Sequence, residues 1–506
     1  MESFDLVVIG GGIHGCGVAV DAAGRGLRVA LFEKNDLGSG TSSASTKLIH
    51  GGLRYLESYE FNLVRQCLIE QQLLLKNSRH LVEPLPFVIP IDTSLRPQWL
   101  VRAGLFFYDT LTRRDLPRSS TLSKKELENL QLKITPSAAF KYYDCLTDDN
   151  RLVIGDALLA RELGAKIYPR HPVTSIISTQ DGWVIKAQGY HGPVLVKAKA
   201  IANMTGPWLK NLIADCHLPE PKTKLKLVQG AHLIVKKLYD GNHAIAHQHH
   251  DGRLIFFVPY EKEFTLVGTT DYTLNQMPHR VEMNDQEFNY LKNVIKDVFG
   301  TIISDDNLIS HYAGVRALID TSNEPSKTTR EFKIEKMNCP FHQHPIVHVF
   351  GGKITTWRMV SEQIVDALKP HFPKMKQKWT KNKIIPGARL NTSATEILNE
   401  LLKTHPALPV DMLFRYAKTY GLKSFDLLNG KQHVNELGHK ICTGIYQQEL
   451  DYLTRYEWVE QAEDLLYRRT KMGYRLSKEE IKAVYSIFGQ SVKNHPICIN
   501  YPTILN

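Results

Sequence analysis

Cysteine is scarce and scattered. Seven cysteines occur in 506 residues, at positions 16, 67, 145, 216, 339, 442 and 498, and no two form a C-x-x-C pair. Neither a disulfide framework nor zinc or iron–sulfur sites of the usual spacing are expected. Apolar runs of membrane-spanning length are missing as well, so no transmembrane helix is expected. The N-terminal apolar stretch lacks the basic n-region of a secretory signal. Glu2 and Asp5 stand there instead and three glycines interrupt the run, which leaves the expectation of a protein that stays in the cytoplasm. There is no internal repeat, no low-complexity tract, and no zinc-finger, RRM or helix-turn-helix signature, so a nucleic-acid partner is not expected. The clusters His247-Gln248-His249-His250 and His342-Gln343-His344 belong to no ligand motif with Cys or acid. They read as solvated loops, and no metal site is expected.

What is present is a soluble-type composition, 43% hydrophobic and 23% charged, on a chain too long for one core, so two or three domains are expected. The 63 basic and 52 acidic residues leave a net charge of +11. That excess suits nucleic acid, an anionic membrane surface or anionic substrates, and charge alone does not choose among them.

The most informative stretch is the first thirty-three residues. Asp5–Ile9 is an apolar run of strand type, and Gly10-Gly11-Gly12-Ile13-His14-Gly15 contains G-x-G-x-x-G. Cys16–Gly24 reads as a helix with small residues, Gly26 as its C-cap, Leu27–Phe32 as a second strand, and Glu33 stands at its end. Strand, glycines, helix, strand and acid in this register form a dinucleotide-binding unit. Gly10 permits the tight turn, Gly12 lets backbone approach a pyrophosphate, Gly15 permits close packing, and Glu33 can accept from a ribose.

Further along, Asp36–Ser45 reads as loop and residues from about Glu60 to Lys76 as helix. In Leu95–Arg118, Trp99, Leu100, Leu105, Phe106, Phe107, Tyr108 and Leu111 alternate with Arg96, Arg102, Arg113, Arg114 and Arg118. A core helix with a basic edge and an amphipathic element lying in a membrane interface both fit that pattern. Ser123-x-x-Glu126 is a capping box, and Arg151–Leu163 is a helix closed by Gly164. Short strands are expected at Ala165–Tyr168, Val173–Ser178, Trp183–Ala187, Val194–Val196 and Ala200–Asn203, with Gln180-Asp181-Gly182 as a hairpin turn. Residues 225 to 350 are strand-rich, Leu233–Val235, Leu254–Val258 and Thr265–Val267 most clearly. Phe350–Trp357 then opens a helix to about Leu368. After a boundary at Pro386-Gly387 the pattern is helical, with a capping box at Ser477 and a stop at Gly489.

An NAD enzyme would complete its sheet near the motif. Here the chain leaves after Glu33 and returns near residue 200, at a strand that runs into Thr205-Gly206-Pro207-Trp208, and again at Phe350-Gly351-Gly352-Lys353. This interleaving resembles two-domain flavoproteins of the amino-acid-oxidase type. The expected fold class is α/β: a Rossmann-like FAD-binding domain interleaved with an antiparallel, β-rich substrate domain, plus a helical C-terminal domain. The expected bounds are 1–80, 145–225 and 345–385 for the first, 81–144 and 226–344 for the second, and 388–506 for the third.

Six stretches carry a more specific resemblance: Thr41–Ser45, Lys47–Leu56, Thr205–Trp208, Val267–Asp271, Gly314-Val315-Arg316 and Phe350–Thr356. They resemble the FAD-dependent glycerol-3-phosphate dehydrogenases, of the bacterial aerobic type in particular. Glu457-Trp458-Val459 and Leu466–Lys471 are similar to that family's helical C-terminal domain, so the likeness covers nearly the whole chain. Lys47–Leu56 is highly specific, whereas Thr-Gly-Pro-Trp and Gly-Gly-Lys are shared with other amine and hydroxyl oxidases. Two departures stand out: Gln229-Gly230-Ala231-His232, where the family often has Lys-Gly-Ser-His, and Trp357, where Tyr is common.

The resemblance implies oxidation of sn-glycerol 3-phosphate to dihydroxyacetone phosphate, with hydride transfer to flavin N5 and electrons passed to a membrane quinone. A glycerophosphate oxidase using O₂, or an amine oxidase of the same fold, is the alternative. The resemblance also implies a homodimer held peripherally on an anionic membrane, on the inner face of the cytoplasmic membrane. A phosphomonoester wants several cations, for which Arg54, Arg330 and Lys353 are available, with Tyr55 as a neutral donor and Thr270 beside them. A base near neutral pH is best supplied by histidine, so His232 and His50 are both candidates, and Arg316 can hold the substrate oxygen. The helix after Lys353 is expected to point its N-terminus at the flavin N1–C2=O edge. On the cofactor side, Gly10, Gly12, Gly15 and Glu33 are joined by Ile13, His14, Lys34, Thr41, Ser42, Ser45, Lys47, Leu48, Gly52, Val173, Thr205, Gly206, Trp208, Gly314, Gly352, Lys353, Ile354 and Thr355.

Overall fold

In the computed structural model, which describes residues 1–190, 192–320 and 331–490, the strand Glu2–Ile9 lies between two parallel neighbours, Val29–Phe32 and Gly192–Asn203. Its second half, Leu6 to Ile9, is buried, as an apolar run covered on both faces should be. Lys166–Tyr168 extends the parallel sheet on one side and Pro345–Gly351 on the other, with Phe332–Asn338 antiparallel at the edge. The expected runs 194–196 and 200–203 form one strand. Its first half alternates in burial and pairs antiparallel with Gly182–Gly189; its second half is continuously buried between parallel partners. The change from alternating to continuous apolar pattern marks a change of partners inside one strand, not a break.

Helices cover both faces. Ile13–Gly24, Asp149–Glu162 and Trp357–Ala367 share one core through Cys16, Val20, Ile154, Trp357 and Val360. The small residues of the first helix serve this helix–helix contact as well as the sheet, since Gly17 lies against Trp357 and Ser361. Leu209–Asp215 covers the other face, against Phe4, Val7, Trp183 and Ile185.

The second sheet is antiparallel for the most part. Leu225–Lys236 is its spine, with Phe264–Gly268, Tyr272–Leu274 and Leu308–Ile319 hydrogen-bonded to it, and the sheet continues through Leu254–Tyr260, Ala244–Gln248, Val82–Pro90 and Ala139–Thr147 to Leu48–Ile49. A fifteen-residue helix, Asp285–Phe299, interrupts the strand-rich stretch; its signal is the capping box Asn284-x-x-Glu287. Two expectations change. His247 lies on the strand Ala244–Gln248, and His249 is buried with its ring edge-on to Tyr290, so this histidine cluster is not a solvated loop. In Leu95–Arg118 only Gln98–Thr110 is helical. The C-terminal helices Ala394–Thr404, Val410–Tyr420, Gln447–Glu457 and Lys478–Ile487 have a separate core around Leu401, Leu413, Leu453 and Val484.

Candidate active site

The glycine turn and the segments that meet it, around Glu33, Ser42, Met204 and Gly352, form a candidate cofactor cradle. Gly10 has φ +109°, and a side chain there would strike the carbonyl of Met204. The helix Ile13–Gly24 starts at Gly12 with no side-chain cap of its own, and Ser42 Oγ accepts from Ile13 N at 3.0 Å. The remaining first-turn amides and the positive end of the dipole are therefore open to an anion. Glu33 grips the turn from behind: Gly11 N donates to its Oε2 at 2.6 Å and Asn35 N to its Oε1 at 2.8 Å. Burial raises the Glu33 pKa against the pull of these two donors.

Around this turn the other segments close in. Thr41 Oγ1 donates to Val315 O at 2.6 Å, next to Gly314. Lys34 Nζ lies 4.1 Å from the Trp208 ring centroid, at the end of the Gly206–Trp208 turn, and Thr205 Oγ1 donates to Asn203. Gly352, with φ +93°, lets the backbone pass His14, whose buried Nε2 has no hydrogen-bond partner and whose pKa burial lowers to about 4. Val173 opens an outlying strand, Val173–Thr179. Ser45 and Lys47 turn inward: Ser45 Oγ and Lys47 Nζ both bond Asp149, the latter as a buried ion pair at 2.8 Å, and Leu48 is core. The donor set fits a dinucleotide: an open helix N-terminus for a pyrophosphate, an acid for a ribose, and an aromatic–cation pair beside it.

The segment Thr46–Arg54 leads from the cradle to two further clusters. At its start, Thr46 Oγ1 lies 2.9 Å from His232 Nε2, and the His232 ring stacks on Tyr312 at 4.9 Å between centroids. Tyr312 in turn donates to Ser45 O at 2.7 Å. His232 is 1% exposed. Burial first, then Arg316 and Lys47, hold its pKa well below the ordinary histidine value, so the ring is neutral. Arg316 bonds Asp271 at 2.6 Å and Thr269 Oγ1 at 2.6 Å, over Gly230, where any side chain would meet the guanidinium. Thr270 is turned away. Its hydroxyl accepts from Ala231 N at 2.8 Å and donates to buried Glu287, which also binds Gln229.

At the other end of the segment, His50 N and O both meet Thr355 Oγ1 in the turn Ile354–Thr356. Burial first, then Lys353, pushes the His50 pKa well down. Lys353 Nζ lies 4.4 Å from the Tyr55 ring centroid and 3.6 Å from Cys67 Sγ. Burial opposes its charge, yet Cys67, Tyr55 and Asp144 outweigh burial and raise its pKa. Arg54 is half-buried in the turn Leu53–Leu56 and has no ion-pair partner among the described residues. Behind Gly51 stands a buried polar group: Gly51 N donates to Tyr108 OH at 2.8 Å, and Tyr108 OH and Gln71 Nε2 donate to Asp144 Oδ1 at 2.6 and 2.7 Å.

The structure thus gathers His232 with Arg316, and His50 with Lys353 and Tyr55, while Arg54 follows in the next turn. Arg330 lies outside the described residues. Thr46, Tyr312, Asp271, Asp144 and Tyr108 were not singled out as site residues in the sequence. Asp271 lies inside the stretch Val267–Asp271, Thr46 sits between two such stretches, and Tyr108 belongs to the aromatic pattern of Leu95–Arg118; Tyr312 and Asp144 carry no signal, because their partners are distant in the chain.

A family model described as "FAD dependent oxidoreductase" matches residues 5–358. The chain is 40% identical over 482 residues to "Glycerol-3-phosphate dehydrogenase" of Pseudomonas aeruginosa, covering 95% of this chain and 94% of that protein. It is 39% identical over 493 residues to "D-erythritol 1-phosphate dehydrogenase" of Brucella abortus, covering 96% and 98%. The crystal structure of the Bacillus halodurans glycerol-3-phosphate dehydrogenase complexed with FAD superimposes with a TM-score of 0.75 at 25% identity, covering 97% of this chain and 92% of that one. It matches the interleaved architecture described above, helical C-terminal region included.

Proposed function

This chain belongs to the family of FAD-dependent oxidoreductases and is related within it to glycerol-3-phosphate dehydrogenases, and from that premise we propose that it oxidises sn-glycerol 3-phosphate to dihydroxyacetone phosphate and passes the electrons to a membrane quinone. The observation that carries the reading is the segment Thr46–Arg54, which touches the buried His232 at one end and the buried Lys353 at the other. A small polyol phosphate has the matching halves, a hydroxyl to deprotonate and a phosphate to neutralise. Bound FAD supplies the hydride acceptor, N5. The Gly10–Gly15 turn, Ser42, Glu33 and the Lys34–Trp208 pair hold the dinucleotide. Arg54, Lys353 and Tyr55 bind and orient the phosphate. His232 takes the hydroxyl proton at Nε2, the nitrogen that Thr46 engages in the free protein; His50 is the other neutral histidine available for this role. Arg316, anchored by Asp271 and Thr269, stabilises the developing alkoxide.

Docking at an anionic membrane, on the inner face of the cytoplasmic membrane, completes the proposal. No helix among the described residues is long and apolar enough to cross a bilayer. The helix Gln98–Thr110 supports a monotopic mode: Trp99, Leu100, Phe106 and Phe107 face outward, 70%, 44%, 61% and 55% exposed, beside Arg96, Arg102 and Arg113. Tyr59 and Phe61, just after the substrate turn, are exposed too.

The similarity to an erythritol-phosphate enzyme supports a second polyol phosphate as substrate, and the test separates the two. Purified protein is given each compound with a soluble quinone, and then with O₂ alone. The reading expects one dihydroxyacetone phosphate formed per quinone reduced, and little O₂ consumed. A higher kcat/KM for D-erythritol 1-phosphate would replace the substrate. Rapid reoxidation by O₂ would replace the acceptor.

A further inference from the structure

The residues Asp464–Arg469, beyond the stretch matched by the family model, form a π-helical turn. In an α-helix successive side chains diverge by about 100°. Here two consecutive arginines nevertheless meet one carboxylate. Arg469 donates to both oxygens of Asp36, Nη1 and Nη2 each at 2.8 Å, and Arg468 Nε donates to the same group. Asp36 is 1% exposed. The fork is itself fixed: Arg469 Nη2 also donates to Glu457 O at 2.8 Å, Glu457 pairs with Arg151, and Arg468 shares Asp464 with Arg170. Burial opposes the Asp464 charge, but Arg468, Arg170 and Arg469 outweigh it and hold the carboxyl well below its usual range. π turns of this kind recur at functional positions, where a helix must re-aim side chains.

Asp36 lies in the loop that closes over the glycine turn. Gly38 N donates to Gly11 O at 2.9 Å, Leu37 packs against Gly11, and Glu33 accepts from Gly11 N. Gly11 is thus held at its N–H by a residue three before Asp36 and at its carbonyl by a residue two after it. A shift of Asp36 would reach both contacts.

We propose that Arg468 and Arg469 are positioning residues for the flavin: by fixing Asp36 they hold the Gly11 turn in shape, so that the C-terminal helical unit sets how tightly FAD is retained. The inference rests on Gly10–Gly15 being the dinucleotide cradle. It places no arginine against the cofactor and assigns the C-terminal unit a role beyond its own packing. Pre-organisation of this kind acts on affinity, because an ordered turn spares the ligand the cost of ordering it.

The test uses full-length holoenzyme with Arg469→Gln, Arg468→Gln and Asp36→Asn, and Glu33→Gln as a control inside the cradle. Free-flavin fluorescence after dilution gives the release rate, titration with FAD gives Kd, and circular dichroism checks folding. Arg469→Gln and Asp36→Asn are each expected to weaken FAD binding about tenfold, the size of coupling usual within one buried network. Their effects should not add in the double variant, because they remove the same contact. Flavin that stays bound should still be reduced at the wild-type rate. A merely structural contact would lower the unfolding temperature and leave Kd unchanged, so a folded Arg469→Gln or Asp36→Asn protein with wild-type Kd overturns the proposal, as does full additivity. If Arg469→Gln does not fold, Arg468→Gln and Asp36→Asn carry the same comparison. If Glu33→Gln also leaves Kd unchanged, the cradle assignment fails instead of the clamp.

Discussion

In the proposed reaction His232 is the base, and among the described residues no carboxylate bonds its ring. Thr46 meets one ring nitrogen, Tyr312 covers a face, and burial with two nearby cations lowers its affinity for protons. The sign follows directly. A histidine whose folded pKa lies well below 6.5 is neutral throughout the neutral range, so its competence as a base is lost only under acid. The limiting rate of flavin reduction at saturating substrate is therefore expected to be flat from pH 8 down to pH 6.5; a fall with a midpoint near 6.5, moved by mutation of His232, would contradict this. His232→Ala should slow flavin reduction by roughly 10²- to 10⁴-fold in stopped-flow measurements. If His50→Ala is slowed and His232→Ala is not, the base is His50. At the phosphate end, Arg54→Ala and Lys353→Ala should each weaken glycerol 3-phosphate binding by about 1.5–3 kcal/mol, the loss of one charge-assisted contact, while FAD stays bound. Unchanged apparent affinity in both variants would remove them from the site. The motif positions of these residues were readable in the sequence, but the inward turn of Thr270 was not. Its neighbour Glu287 lies on a helix that a strand-rich reading of residues 225–350 passes over.

At the scale of elements, the helix Gln98–Thr110 joins surface to site. Its outward aromatics form the exposed patch, and its inward Tyr108 reaches Gly51 and Asp144. Replacing Trp99, Phe106 and Phe107 with Ser should reduce binding to anionic vesicles and quinone-coupled turnover, and leave turnover with a water-soluble dye intact. Salt does not discriminate here. Each arginine near the surface contributes about 1 kcal/mol that falls with salt, and the general positive charge does likewise. A folded triple variant that still binds vesicles would move the membrane contact elsewhere. The sequence held the aromatic periodicity of this helix but not its buried face. That face is set by Asp144, a strand residue from a different part of the chain.

Over the whole molecule, the fold was most legible where local chemistry and packing agree. Glycines, helix and strands near the N-terminus sit in register because each residue type suits its own backbone. Long-range choices left weaker traces. The strand Gly192–Asn203 looked broken because it changes partners midway, and the Arg468–Arg469 fork on Asp36 spans more than four hundred residues with no periodic signal. The proposed function comes down to one claim, that the cradle and the segment Thr46–Arg54 together oxidise glycerol 3-phosphate at a flavin. The most direct measurement mixes the purified yellow holoenzyme with glycerol 3-phosphate under anaerobic conditions and follows the oxidised flavin absorbance. The account expects rapid and complete bleaching, with dihydroxyacetone phosphate formed in equal amount to the flavin. Flavin that stays oxidised in the presence of glycerol 3-phosphate, yet bleaches with dithionite, would contradict it.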